Sequence, residues 1–105
     1  MALAYKQLAQ SQIGTSAATF YTSPAGTQTI IKQLRIVNTD TVPRWIKLGN
    51  NGSADANLIL PQTTIAAGGW AEFDGTLTLA AGETIVAQAE VASKLTMTAH
   101  GAQVT

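Results

Sequence analysis

The chain contains no cysteine, which removes disulfides, thiolate nucleophiles and zinc-cysteine centres from consideration. Charge is almost as scarce. Asp, Glu, Lys and Arg make up 11% of the 105 residues, less than half of the roughly 25% in an ordinary soluble domain. Six acidic against six basic side chains leave a formal net charge of zero, so no global basic field exists to hold nucleic acid or an anionic membrane. No stretch approaches the ~20 apolar residues of a bilayer span. The start, Met1 to Gln7, lacks the basic segment and long apolar core of a secretory signal. The chain is therefore expected to remain in the cytoplasm or to be assembled there into something larger. Linkers, charge blocks and low-complexity tracts are missing and helical periodicity is weak, so one domain with one core is expected.

Apolar residues reach 46%, and polarity is carried by Thr, Gln, Ser and Asn instead of charge. Threonine suits pleated, half-exposed sheet, and a surface so poor in charge offers little protection against self-association. Three times an apolar run stops at an alanine-glycine step and restarts: at Ala25-Gly26, Ala67-Gly68 and Ala81-Gly82. Glycine supplies the positive φ of tight turns, and the Thr, Ile, Val and Leu flanks supply strands.

Alternation is clearest at Ile85, Ala87, Ala89 and Val91, with Gln88 and Glu90 opposite and Val86 as the exception. Leu77 and Leu79 alternate with Thr76 and Thr78 before the Ala81-Gly82 turn, which predicts a hairpin of the two runs. Leu95, Met97 and Ala99 share one face of a final strand, and Ile46 and Leu48 point inward with Trp45 and Lys47 outward. In the run from Gln28 to Asn38, Ile30, Leu34 and Ile36 share a face while Ile31 and Val37 lie on the other. That pattern means either a bulge near Lys32 or a central strand covered on both faces. Strands are predicted at 4–13, 17–22, 28–38, 42–48, 57–65, 69–74, 76–80, 83–91 and 94–104. Eight to nine short strands without a helix of consequence indicate an all-β, antiparallel β-sandwich; the strand count slightly favours a jelly-roll-like order over an immunoglobulin-like one, and pairing order is not written in a single sequence. Residues 1–12 read as an N-terminal arm or edge strand, with Tyr5 and Leu8 available to a neighbouring molecule, and residues 13–105 as the sandwich domain.

The inventory for catalysis is thin. His100 is the only histidine and lies on the polar face of the last strand, where a solvated side chain is the ordinary case. Glu72 and Asp74 stand two apart on a strand, the minimum for an acid-base pair or a hard-cation site but a common arrangement on solvated faces. Asn50, Asn51, Asp55 and Asn57 offer oxygens without the spacing of a calcium loop. Neither a metal nor a cofactor is expected, and the chain reads as non-enzymatic. Lys32, Arg35, Arg44 and Lys47 face only Asp40 between residues 30 and 48, whereas Asp55, Glu72, Asp74, Glu83 and Glu90 face only Lys94 afterwards. Either these are two solvated faces or they meet between subunits. Trp45, beside Arg44 and Lys47, is expected at an interface together with Arg35 and Lys47. Trp70, after Gly68-Gly69, is expected to be partly buried in the core. The two indoles could alternatively stack on sugars.

The runs Ile13-Gly14-Thr15-Ser16-Ala17-Ala18-Thr19-Phe20-Tyr21-Thr22-Ser23-Pro24-Ala25-Gly26-Thr27 and Ile30-Ile31-Lys32-Gln33-Leu34-Arg35-Ile36-Val37-Asn38-Thr39 carry a resemblance. So do Leu77-Thr78-Leu79-Ala80-Ala81-Gly82-Glu83-Thr84-Ile85 and Leu95-Thr96-Met97-Thr98-Ala99-His100-Gly101-Ala102-Gln103-Val104-Thr105. Together they resemble small virion proteins encoded among the structural genes of tailed bacteriophages. Trp45 and Trp70 depart from that pattern, where smaller or variable residues are expected. The resemblance implies a structural β-sandwich of the particle. It would be a head-decoration (cement) protein on the capsid surface, assembled in the host cytoplasm as a homo-oligomer such as a trimer. Its partners would be the major capsid protein or other virion proteins. A collar, tail or fibre-associated subunit is the alternative, and a carbohydrate-binding module a further one.

Overall fold

Each Thr-, Ile- and Val-rich run has one face that must leave water, and pairing two such sheets face to face buries both. The computed structural model describes residues 3–52 and 54–105. Its strands are β1 (Leu3–Gln12), β2 (Ala18–Thr22), β3 (Gln28–Asn38), β4 (Arg44–Asn50), β5 (Leu58–Ile65), β6 (Trp70–Leu79), β7 (Thr84–Ala89) and β8 (Leu95–Val104), with one 3₁₀ turn at Asp55–Asn57. They form two four-stranded sheets, β1-β8-β3-β6 and β2-β7-β4-β5, antiparallel throughout. Four of the pairings, β1·β8, β2·β7, β3·β6 and β4·β5, are those of one long hairpin folded at its middle. The other two, β3·β8 and β4·β7, arise when that hairpin rolls up. This is the jelly roll, with two interlocked Greek keys.

The three alanine-glycine steps are the same turn used three times. Thr27, Gly69 and Glu83 donate their backbone N–H to the carbonyls of Pro24, Ala66 and Ala80 at 3.1, 2.9 and 3.0 Å. Gly26, Gly68 and Gly82 occupy the third position with φ of 70, 65 and 84°, the pattern of a type II turn. All three carry the chain from one sheet to the other. The predicted hairpin of residues 76–80 with 83–91 is therefore corrected. β6 pairs with β3, and β7 pairs with β2 and β4, because a type II turn splays the strands it joins, unlike the I′ and II′ turns of tight hairpins, and so sends the chain across to the other sheet. The expected breaks at 69–74 and 76–80 are also merged. β6 continues through Gly75, and the ladder shifts register there, opposite Lys32.

The bulge near Lys32 is present in both ladders of β3, between Ile31 and Gln33, and β3 is also an interior strand. Its phase change turns Thr29 and Ile31 inward on one side, and Leu34, Ile36 and Asn38 inward on the other, all buried. Ile30 consequently lies on the outer face and is only half-buried, not inward with Leu34 and Ile36. Gly101 sits beside this bulge, where a Cβ would collide with the Ile30 carbonyl oxygen and approach the Ile31 Cα within 3.0 Å. The core proper is Ile31, Leu34, Ile36, Ile46, Leu48, Leu79, Ile85, Leu95 and Met97, each at most 2% exposed.

Two buried polar devices close the ends of this core. At one end Gln103 donates to Tyr21 Oη at 2.7 Å, Tyr21 Oη lies 3.0 Å from Thr29 Oγ1, and Thr29 Oγ1 lies 2.8 Å from Ser23 Oγ, which donates to the Thr27 carbonyl at 3.0 Å. Each hydroxyl has one proton, so the chain runs in one direction, from Gln103 through Tyr21, Thr29 and Ser23 to the backbone. It ties β2 of one sheet to β3 and β8 of the other. At the opposite end Asn38, fully buried, donates its amide to the carbonyls of Val42, Ile65 and Ala66 at 3.0, 3.0 and 3.2 Å. Its oxygen accepts the Asp40 N–H at 2.9 Å. One side chain thereby fastens two loops to β3.

Candidate interaction surfaces

Residues directly opposite in an antiparallel ladder share a face, so the registers define the outer surface of the β1-β8-β3-β6 sheet as four transverse rows. They are Tyr5–Ala102–Ile30–Thr78, Gln7–His100–Gln33–Asp74, Gln10–Thr98–Arg35–Glu72 and Gln12–Thr96–Val37–Trp70. Tyr5 is 70% and Trp70 56% exposed. Trp70 is thus an outward residue of the sheet, not the partly buried core residue expected. The phase of β6 is set by Ala71 and Phe73, which pack on the core, and this turns Trp70 and Glu72 to solvent.

Arg35 crosses two rows. Its guanidinium lies 4.5 Å from the centre of the Trp70 ring, and its Nη1 is 3.6 Å from Glu72 Oε1. A cation over an indole contributes about 0.5–1 kcal/mol at an exposed site, and an exposed ion pair at most about as much. The cluster is thus an ordered surface feature more than a source of stability. Asp74 accepts from the Gln33 amide at 3.4 Å, so Glu72 and Asp74 are each engaged with a β3 side chain. His100 is exposed beside them. Near Gly101 the bulge leaves an open depression of about 340 Å³ lined by Tyr5, Lys6, Gln7, Lys32 and His100.

The opposite sheet presents Trp45 and Lys47 outward from β4, each half-buried, with Ile46 and Leu48 inward. The Trp45 backbone is bracketed by Glu90: its N–H donates to Glu90 Oε1 at 3.2 Å, and its carbonyl accepts the Glu90 N–H at 3.0 Å. Arg44 is held between two carboxylates, with Nε 2.8 Å from Asp40 Oδ2 and Nη1 3.3 Å from Glu90 Oε2. The Arg44 hydrogen bond, followed by the Thr41 N–H, holds the Asp40 carboxyl below the ordinary carboxylate range. The same contact raises Arg44. At the other end of the sandwich the Ala80 N–H and the Asn51 amide lower Glu83.

The five predicted interface residues therefore do not form one patch. Tyr5 and Arg35 lie on one outer face, and Trp45 and Lys47 lie on the other. Leu8 occupies the β1 bulge between Gln7 and Ala9 and packs against the core. The positive bias of residues 30–48 is partly neutralised inside the chain, Arg35 by Glu72 and Arg44 by Asp40 and Glu90. The two indoles, on opposite faces, cannot form a joint sugar-stacking platform. Asn51 and Asn57 do not converge as cation ligands. Asn51 bridges Glu83 and the Thr84 N–H, and Asn57 donates to the Asn50 carbonyl. Among the described residues, no group of three or more His, Asp or Glu side chains is placed to hold a metal, and no helix is long and apolar enough to cross a membrane. The sequence missed Asn38, Ser23 and Thr29 as interior residues. Their only signal was a polar residue at the end of an apolar run.

No protein-family profile and no curated protein matches the sequence. Solved structures do. The chain is similar to one from the acidic stable capsid structure of Helicobacter pylori bacteriophage KHP30, with a TM-score of 0.59 and 10% identity over 98% of this chain and 87% of that one. It is similar also to a chain of the Bacillus endospore appendages, described as disulfide-linked pili, with a TM-score of 0.52 and 17% identity over 98% and 88%. A family 35 carbohydrate-binding module from Clostridium thermocellum superposes more loosely, with a TM-score of 0.42, too low to bear on function. At these identities the likeness establishes a shared all-β fold.

Proposed function

We propose that the chain is a non-enzymatic structural subunit of a tailed-bacteriophage particle, bound as a small homo-oligomer to the outside of the head as a decoration protein. The observation that carries this reading is the end-to-end correspondence of its jelly roll with a chain of a phage capsid structure, 98% of one against 87% of the other. The virion-like turn and strand sequences described above point the same way. The mechanism would be mechanical. A subunit that binds the assembled lattice and not free capsomers stabilises the lattice by mass action. Trp45 and Lys47 on one face would meet the capsid, with the indole supplying most of the affinity and the charge the orientation. Lacking cysteine, the chain would hold its neighbours without covalent links.

Stripping the protein from purified particles should lower the temperature at which DNA is released. Unchanged release, with the protein absent from heads in electron micrographs, would remove the decoration reading. A neck or tail location is the second reading, supported by the same fold likeness. Gel densitometry against the major capsid protein separates them, since a head lattice needs many copies per particle and an axial ring only a few.

A further inference from the structure

An antiparallel sandwich has four edges, and natural proteins blunt edges that must not pair. Two are blunted here. β2 has only five residues, and β5 contains Pro61, which has no N–H to offer, and two breaks of register against β4. The edges of the other sheet are different. β1 and β6 each run for 10 residues without proline, and each carries its irregularity at the same level, at Leu8 and at Gly75-Thr76. Their charges are of opposite sign. β1 has Lys6 and no acid, and β6 has Glu72 and Asp74 and no base.

We infer that β6 of one molecule pairs with β1 of a second copy, head to tail, so that the sheet continues from subunit to subunit. This deepens the homo-oligomer proposed above and rests on that part of it. Strand sense supports the pairing: β6 and β1 lie three strands apart in an all-antiparallel sheet, so a second copy set alongside in the same orientation continues the alternation. Extending the rows without shear places Gln10 of the second copy opposite Glu72, Gln7 opposite Asp74 and Tyr5 opposite Thr78. Amide donors then meet carboxylates. Symmetric β6·β6 pairing centred on Phe73 would set Glu72 against Asp74, which disfavours it, and symmetric β1·β1 pairing would leave the β6 edge unpaired.

The cysteine-free sequence makes the test direct. Gln10→Cys and Glu72→Cys are prepared separately, mixed at high concentration and oxidised, with Thr64→Cys on β5 replacing Glu72→Cys as the control. Gln7→Cys with Asp74→Cys is a second pair, one row along on the same face, and circular dichroism checks that each variant is folded. The expected result is a disulfide dimer containing one chain of each kind from at least one pair, and a ladder of higher species when both cysteines are in one chain. Dimers of Gln10→Cys with itself at equal yield, or no cross-link above the control from either pair, would overturn the head-to-tail pairing. Hydrogen exchange on the unsubstituted protein gives an independent readout, with β1 and β6 amides, but not those of β2 and β5, gaining protection as concentration rises. Because all of this is read on the isolated protein, a negative result is distinguishable from failure to bind the particle.

Discussion

Replacing Asn38 by aspartate changes one NH₂ to one oxygen in a site that excludes water, and the structure fixes what that does. The two amide protons of Asn38 serve three carbonyls; as a carboxylate, the new side chain would offer none. At least two buried acceptors would lose their donor, at about 1–3 kcal/mol each, and the charge itself would be desolvated. A loss of about 3–5 kcal/mol at neutral pH follows from those terms, a large part of the ~5–15 kcal/mol that stabilises a typical domain. Protonation would restore one donor, so the folded state raises the pKa of the new carboxyl above its ordinary ~3.9. The sign follows from linkage. The native state retains a proton that the unfolded chain has released, so the deficit relative to wild type should widen as pH rises from about 4 towards neutrality. Urea unfolding of both proteins at two pH values measures it. A deficit below about 1 kcal/mol, or one equal at both pH values, would refute the role assigned to Asn38.

Gly101→Ala should cost at least about 3 kcal/mol or prevent folding, because its Cβ meets the fixed backbone of Ile30 and Ile31. Gly26→Ala, with nothing within 4 Å, should cost only about 1 kcal/mol of left-handed backbone strain, and thermal melts of the pair compare the two. Tyr21→Phe interrupts the directed chain from Gln103 to Ser23 and should lower stability by about 1–2 kcal/mol in urea titrations without changing the far-ultraviolet spectrum. Asp40 and Glu83 have folded pKa values below their ordinary ones, so their contribution is present above the usual carboxylate range and is lost as pH falls through the folded values. Asp40→Asn should therefore flatten the decline of the urea midpoint at acid pH, and an unchanged slope would count against the Arg44 contact.

Strand positions were legible wherever one face is strictly buried. Ile85, Ala87 and Ala89 alternate because β7 is interior and its second face meets no other layer, and the irregularity near Lys32 was visible because it shifts an apolar phase. Sheet membership was not legible, since an alanine-glycine step marks a turn without fixing whether it is the type II turn of an arch or a primed hairpin turn, and the pairing partners lie tens of residues away. Asn38 looked like a strand end because its carbonyl partners come from Val42, Ile65 and Ala66, which no local pattern brings together. Trp70 was misplaced for a related reason. The cation that orders it, Arg35, lies on another strand, and an indole next to a glycine turn carries no mark of which side it faces. Of the surface residues, outward placement of Arg35, Trp45 and Lys47 followed from alternation, but their division between two faces did not.

The nested pairing of β1·β8 outside β2·β7, β3·β6 and β4·β5 has a kinetic consequence. Only β4 and β5 are partners that follow one another in the chain, so loop closure favours starting there and adding pairs outward. During synthesis β1 emerges first, yet its partner β8 is the last strand to be made. Until then β1 has no place in its own subunit and is available to the β8 of a neighbouring chain. Refolding should accordingly be slow for a domain of this size, and concentrated refolding should yield exchanged dimers that dilute refolding does not.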